Sequence, residues 1–279
     1  MVADLVATPV LERLAAGEAT GAPRGGRGAR GGAAYLELDG FVVALTARGV
    51  PLMPNGIAVE RLPDGGGRVR AAPGLIAIGD AAVTWDAAQP PRWEPAVRRA
   101  APAERAALER RGHAILAALG VDGAPSLAGG MAVTVSGRGA QGARHLRRAI
   151  ADRDAGEAAL AAELLVGLGG GLTPEGDDVL AATAAVVVAV GDATGLAGAA
   201  RARWLAALAP PDLHDQTTAL SATLLALAAE GRIAEPVHPL LDPGDAHWRE
   251  ALARLEATGA STGRAYAVAV GATLRMLAA

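Results

Sequence analysis

The residues best placed to do chemistry fall in three short clusters in the second half of the chain. The first is Gly167-Leu168-Gly169-Gly170-Gly171-Leu172-Thr173-Pro174-Glu175-Gly176-Asp177-Asp178, a glycine-rich turn opening a helix. Thr173 suits the N-cap and Pro174 the first helical position, where a missing N–H costs nothing. Gly169, Gly170 and Gly171 admit positive φ and let a ligand approach the backbone, so a valine at Gly170 is expected to clash and fill the seat. Exposed N–H groups at a helix start can bind phosphate or carboxylate. Asp177 and Asp178 complement the helix dipole unaided. They could instead hold Mg²⁺, accept hydrogen bonds from a substrate amide, or pair with arginine. The plain alternative is a tight loop before a well-capped helix.

The second cluster is His214, Asp215, Thr217, Thr218 and Ser221. His214, Thr217, Thr218 and Ser221 fall at i, i+3, i+4 and i+7, one face of a helix beginning near Asp215. Their hydroxyls either bond carbonyls of their own helix or face a shared pocket. The third is Thr258-Gly259-Ala260-Ser261-Thr262-Gly263-Arg264, a small-residue turn before the last helix. Ser261 or Thr262 can cap, and Arg264 then projects within a turn of the helix start, which makes an anion seat or a simple cap. The segments 169–178, 217–221 and 258–264 are expected to line one pocket, with Arg264 facing Asp177 or Asp178 when it is empty.

Other chemistries are excluded or poorly supported. The 279-residue chain has no cysteine, so disulfides, Cys-ligated zinc and thiol nucleophiles are out. It has no lysine either; all 26 positive charges are arginine, which removes Schiff-base chemistry and the P-loop lysine. The five histidines show no metal-ligand spacing, and no G-x-S-x-G elbow is present. The formal net charge of −3 argues against nucleic-acid binding. The longest apolar run, Val179 to Val190, is about twelve residues, short of the ~20 that cross a bilayer. Residues Met1 to Glu12 lack a basic n-region, so a soluble cytoplasmic protein is expected.

The elements that must position these clusters read as an α+β chain, with a β-rich N-terminal domain (1–95) and a mostly helical C-terminal domain (96–279). Residues 3–17 have the spacing of a short helix ending at Gly17. The stretch Gly21 to Gly32, with Arg24, Arg27 and Arg30, reads as a solvated loop or an anion-gathering arm. Tyr35–Leu38 and Phe41–Leu45 flank Asp39-Gly40, a hairpin turn. Strands are further expected near residues 57–59, 68–70, 75–78 and 131–135. Helices are expected over 102–119, 139–153, 157–166, 174–190, 196–209, 217–230, 245–257 and 263–277.

The run Gly167 to Asp178 resembles the signature of a bacterial family that includes the AllH-type subunit of oxamate carbamoyltransferase, from anaerobic allantoin breakdown. Thr217-Thr218-Ala219-Leu220-Ser221 and the Gly/Ser/Thr-Gly turn at 259–263 agree in order and spacing. The family pattern has a His before the Ser/Thr pair and often an acid after Gly263, where this chain has Ala260 and Arg264. The resemblance implies carbamoyl transfer between phosphate and an oxamate-like amide, within nitrogen metabolism and in a complex with other subunits. Its ligands would be small anions, namely carbamoyl phosphate or phosphate and a 2-oxo-carboxylate. On that reading Gly169 to Gly171 and Thr173 hold the phosphate or oxyanion. Asp177 and Asp178 take the carbamoyl NH₂ or a metal, and Ser261, Thr262 and Arg264 take the carboxylate, with Thr217, Thr218 and Ser221 lining the site. No nucleophile is evident, so transfer would be direct, with Thr173, Asp177 and Asp178 catalytic and no cofactor beyond an optional Mg²⁺. A non-catalytic metabolite-binding or partner subunit is the alternative. A homo-oligomer or hetero-complex also fits the mean hydropathy of +0.27.

Overall fold

The computed structural model describes residues 1–24, 32–63, 67–121 and 137–279. Arg27, Arg30 and the strand expected at 131–135 lie outside them. The chain divides into two compact units, Met1–Pro95 and Ala96–Ala279. The first is built on a nine-stranded sheet and the second is helical, so the α+β reading holds.

In the first unit the strands are β1 (Ala3–Ala7), β2 (Ala19–Arg24), β3 (Ala33–Leu38), β4 (Phe41–Ala47), β5 (Gly56–Val59), β6 (Val69–Ala72), β7 (Leu75–Ile78), β8 (Ala81–Thr84) and β9 (Arg92–Trp93). They run in the order β8-β7-β6-β2-β3-β4-β5-β1-β9. Asp39 and Gly40 turn the β3–β4 hairpin with φ of 48° and 83°, the left-handed pair that a two-residue hairpin needs. Two expectations need correction. Residues 3–7 form a strand, because β1 gains ladders with β5 on one side and β9 on the other. The helix, α1 (Thr8–Ala15), begins only where Pro9 can occupy its first turn, and it buries Val10 and Leu14. Residues 21–24 are likewise strand, not loop. Pro23 is tolerated there because pairing with β6 stops at Gly21.

The second unit contains α2 (Arg105–Ala118), α3 (Gly137–Asp152), α4 (Ala155–Leu165), α5 (Glu175–Thr194), α6 (Gly198–Leu208), α7 (Leu213–Gln216), α8 (Ala219–Ala229), α9 (His238–Leu241), α10 (Trp248–Glu256) and α11 (Thr262–Ala278). α5 is the central helix: of its 20 residues only Asp192 is not buried. Beyond its acidic first turn it is rich in Ala and Val on every face, as a helix enclosed by neighbours must be. α2, α4, α6, α8 and α11 pack on it. The helix expected from residue 217 starts instead at Ala219. Thr217 is fully extended (φ −144°, ψ −174°) and separates α8 from the short α7.

Candidate functional site

Two helix starts are pressed against backbone, and in each a glycine makes this feasible. A Cβ on Gly176 would lie 2.0 Å from Leu165 O, at the end of α4, and one on Gly263 would lie 1.8 Å from Leu255 O, near the end of α10. Neither position has room for a side chain. The Gly176 N–H also donates to Leu168 O at 2.9 Å, folding the glycine-rich loop back over the first turn of α5. That turn begins one residue later than the sequence suggests. Pro174 stands at the N-cap, and its carbonyl accepts from the N–H groups of Asp177 (3.0 Å) and Asp178 (3.2 Å). Thr173 therefore does not cap. Its hydroxyl reaches across to Thr262 Oγ1 at the start of α11, 2.7 Å away.

The loop residues Gly169, Gly170 and Gly171 are solvent-exposed. Gly169 and Gly171 have φ of 124° and 90°, but Gly170 is not among the positive-φ residues, and a Cβ on it would meet nothing within 4 Å. The clash expected of a valine at Gly170 is therefore withdrawn.

The adjacent aspartates have different surroundings. Asp177 is nearly saturated: Oδ1 accepts from the Gly167 N–H at 2.9 Å and Oδ2 from the Thr217 hydroxyl at 2.5 Å. It thereby ties the α4–α5 loop to the α7–α8 break. Burial pushes its pKa up, against the lowering effect of those donors and of the Ser221 hydroxyl facing it. Ser221 Oγ, itself buried, stays outside hydrogen-bond geometry and has no partner. Asp178 is 5% exposed, and its Oδ2 has no partner either. Burial raises its pKa to about 8; Thr262 opposes the rise, and the charges of Asp177 and Glu175 add to it. Among the described residues no arginine pairs with either aspartate.

The second cluster works through a chain break, not through a helical stripe. His214 is exposed on α7, which ends at Gln216, so it shares no helix with Thr218 and Ser221. Extended backbone at Thr217 sends its hydroxyl to Asp177. Thr218 caps α8 by accepting from the Ser221 N–H at 3.1 Å and donates to Leu172 O at 2.6 Å. Thr223, further along α8, shows the alternative behaviour, bonding Ala219 O at 2.8 Å within its own helix.

At the third cluster Ser261 occupies the N-cap of α11 without a capping bond from its side chain. Arg264 corrects the expectation that it would face the aspartates: its guanidinium bonds Glu256 Oε1 at 3.1 Å and Leu119 O at 2.9 Å. The reason is helical geometry. Residues two apart lie about 200° apart around a helix, so if Thr262 faces Asp178, Arg264 points away. The residue four places beyond Thr262 shares its face, and that is Tyr266. Sequence reasoning missed Tyr266, although this i, i+4 relation to Thr262 was the signal. Burial raises its hydroxyl pKa, and the nearby Asp178 charge adds to the rise.

Hydrogen bonds thus join the three segments directly: Thr173 to Thr262, Thr217 to Asp177, and Thr218 to Leu172. Among the described residues no three His, Asp or Glu side chains converge as a metal ion would require. A cavity of about 210 Å³ elsewhere in this unit lies beside Arg98, His238 and Asp242, but Arg98 is already clamped by both oxygens of Glu104.

Fold and site define an α+β protein whose helical unit gathers buried carboxyls, hydroxyls and turn N–H groups around two helix starts. Residues 165–274 match the family described as oxamate carbamoyltransferase subunit AllH. This bears out the resemblance drawn from the Gly167–Asp178 run, and the matched span includes all three clusters. No curated protein and no solved structure matches the chain.

Proposed function

We propose that this protein is a subunit of a carbamoyl-transferring enzyme and that the joined segments of its helical unit form the ligand site. The observation that carries the reading is that the AllH match spans all three segments that hydrogen bonds bring together. In the reaction the amide nitrogen of an oxamate-like acceptor attacks the carbonyl carbon of carbamoyl phosphate. A C–N bond forms, the C–O bond to phosphate breaks, phosphate leaves, and the nitrogen gives up a proton. The exposed turn of Gly169 to Gly171 offers N–H groups to phosphate or to the developing oxyanion. Asp178 faces the nitrogen-bearing group, Thr173 and Thr262 bridge the two helix starts, and Ser261 lies beside them for the carboxylate. Arg264, engaged by Glu256, has no part in this arrangement.

Among the described residues no nucleophile is placed at the site, which fits direct transfer and fits equally a subunit that binds a metabolite while another chain supplies catalytic groups. One experiment separates the two. The chain is assayed alone and with the proteins that co-purify with it, using carbamoyl phosphate and oxamate with and without Mg²⁺. N-carbamoyl product from the chain alone supports direct transfer. Product only from the complex supports the binding-subunit reading, and no product from either defeats carbamoyl transfer.

A further inference from the structure

We propose that Asp178 Oδ2, beside the Thr262 hydroxyl, is the recognition point for an uncharged primary amide. This deepens the reading above and rests on it in taking the joined segments as a ligand site.

The first argument is the unmet atom. Native proteins pair nearly all buried polar groups, and an exception calls for a cause. Among the described residues of this unit other buried hydroxyls are paired: Thr183 with Val179 O, Thr194 with Val190 O and Thr223 with Ala219 O. Asp178 Oδ2 and Ser221 Oγ are not, and they belong to the neighbouring elements α5 and α8 within the same cluster.

The second argument is charge. Among the described residues the titratable groups facing Asp178 are Glu175 and Asp177 on its own helix and Tyr266 on α11, none of them a cation. The nearest arginine in sequence on α11, Arg264, is spent on Glu256 and Leu119 O. A carboxyl so placed holds its proton at neutral pH, consistent with a pKa of about 8. A neutral carboxyl donates through O–H and accepts through C=O. A primary amide is its complement, accepting through C=O and donating through N–H. A ligand carboxylate placed here would meet the charges of Asp177 and Glu175, and a guanidinium would strip the proton from Asp178. Since Oδ2 is enclosed, binding requires a segment to yield, and the exposed Gly169–Gly171 turn ahead of the helix is the stretch that would do so.

The test is calorimetric titration of the full chain, with its co-purifying partners, using oxamate, acetamide and oxalate as probes. The amides should bind at least about tenfold more tightly than oxalate near pH 6.5, the margin expected of a buried, matched polar pair, and should weaken as the pH passes about 8. Asp178→Asn, a mimic of the neutral acid, should keep amide affinity and lose the pH dependence. Asp178→Leu should lose about tenfold or more in affinity while keeping the far-UV spectrum of the folded chain. Equal binding of oxalate, no binding of either amide, or full amide affinity in Asp178→Leu overturns the proposal. Amide binding that depends on Asp178, without N-carbamoyl product, leaves this subsite standing and defeats the transfer reading. Turnover undiminished in Asp178→Leu does the reverse.

Discussion

The two ends of α5 both carry aspartate, and they treat it in opposite ways. At the C-terminal end Asp192 is 39% exposed and forms an ion pair with Arg201 at 2.8 Å, with Arg99 at 3.5 Å. The arginines hold its carboxyl below the usual range, with the Arg201 hydrogen bond the largest cause. At the N-terminal end Asp177 and Asp178 are buried, face N–H and O–H groups, and have raised pKa values. In a chain with 26 arginines, a carboxyl that served only the fold could have been given a guanidinium. The contrast teaches that the exposed acid is a structural tether, whereas the buried start of the helix keeps hydrogen-bonding capacity that the fold leaves unused.

Substitutions can break or sharpen that contrast. The largest effect is expected from Gly176→Ala, whose Cβ would overlap Leu165 O and push α5 off α4. A loss of more than ~3 kcal/mol in chemical denaturation is expected, since backbone cannot yield as a flexible side chain can. Gly170→Ala, with open space around it, should be near neutral, and equal losses at the two positions would contradict the packing described.

Next is Asp177→Asn. Its Oδ1 can still accept from the Gly167 N–H while its NH₂ donates to a rotated Thr217 hydroxyl, so charge-assisted bonds give way to neutral ones and a loss of ~1–2 kcal/mol is expected. A variant as stable as the parent would show that Asp177 does not hold the loop and the chain break together.

Asp178→Asn should act in the other direction and should depend on pH. Burial pushes the folded carboxyl up to about 8 from its ordinary 3.8, so the folded state binds the proton more tightly than the unfolded one. The group therefore lowers stability progressively as pH rises from about 4 to about 8, by at most ~1.4 kcal/mol per pH unit, and no further above that. Asparagine removes this slope, so the variant should gain on the parent between about pH 5 and about pH 8. Denaturation series whose difference stays flat with pH would show that Asp178 is ionised.

The smallest effect belongs to Asp192→Asn. An exposed ion pair contributes less than about 1 kcal/mol, and salt should erase the difference.

How far the sequence revealed this arrangement depended on whether the controlling interaction was local. The Asp39-Gly40 hairpin is set by the φ demands of two residues, and the long helices follow from their own apolar spacing. Ala3–Ala7 also has helical spacing, but its conformation is decided by strands more than fifty residues away. In the site, all three clusters were visible as polar residues at helix starts. The break at Thr217 was not, because neither Gly nor Pro marks it and it is held by a bond to Asp177. Gly176 looked like one of several loop glycines, and only the closeness of Leu165 O distinguishes it. The direction of Arg264 was within reach: once Thr262 is taken as facing inward, helical geometry turns Arg264 outward and brings Tyr266 in.

The central claim is that the α5 start, the α7–α8 break and the α11 start form one ligand site. Hydrogen–deuterium exchange of the full chain with its co-purifying partners, with and without oxamate plus carbamoyl phosphate, tests it most directly. The account predicts that protection rises together in residues 167–178, 217–221 and 258–264. Protection confined to one of these segments, or confined to residues 1–95, would contradict it.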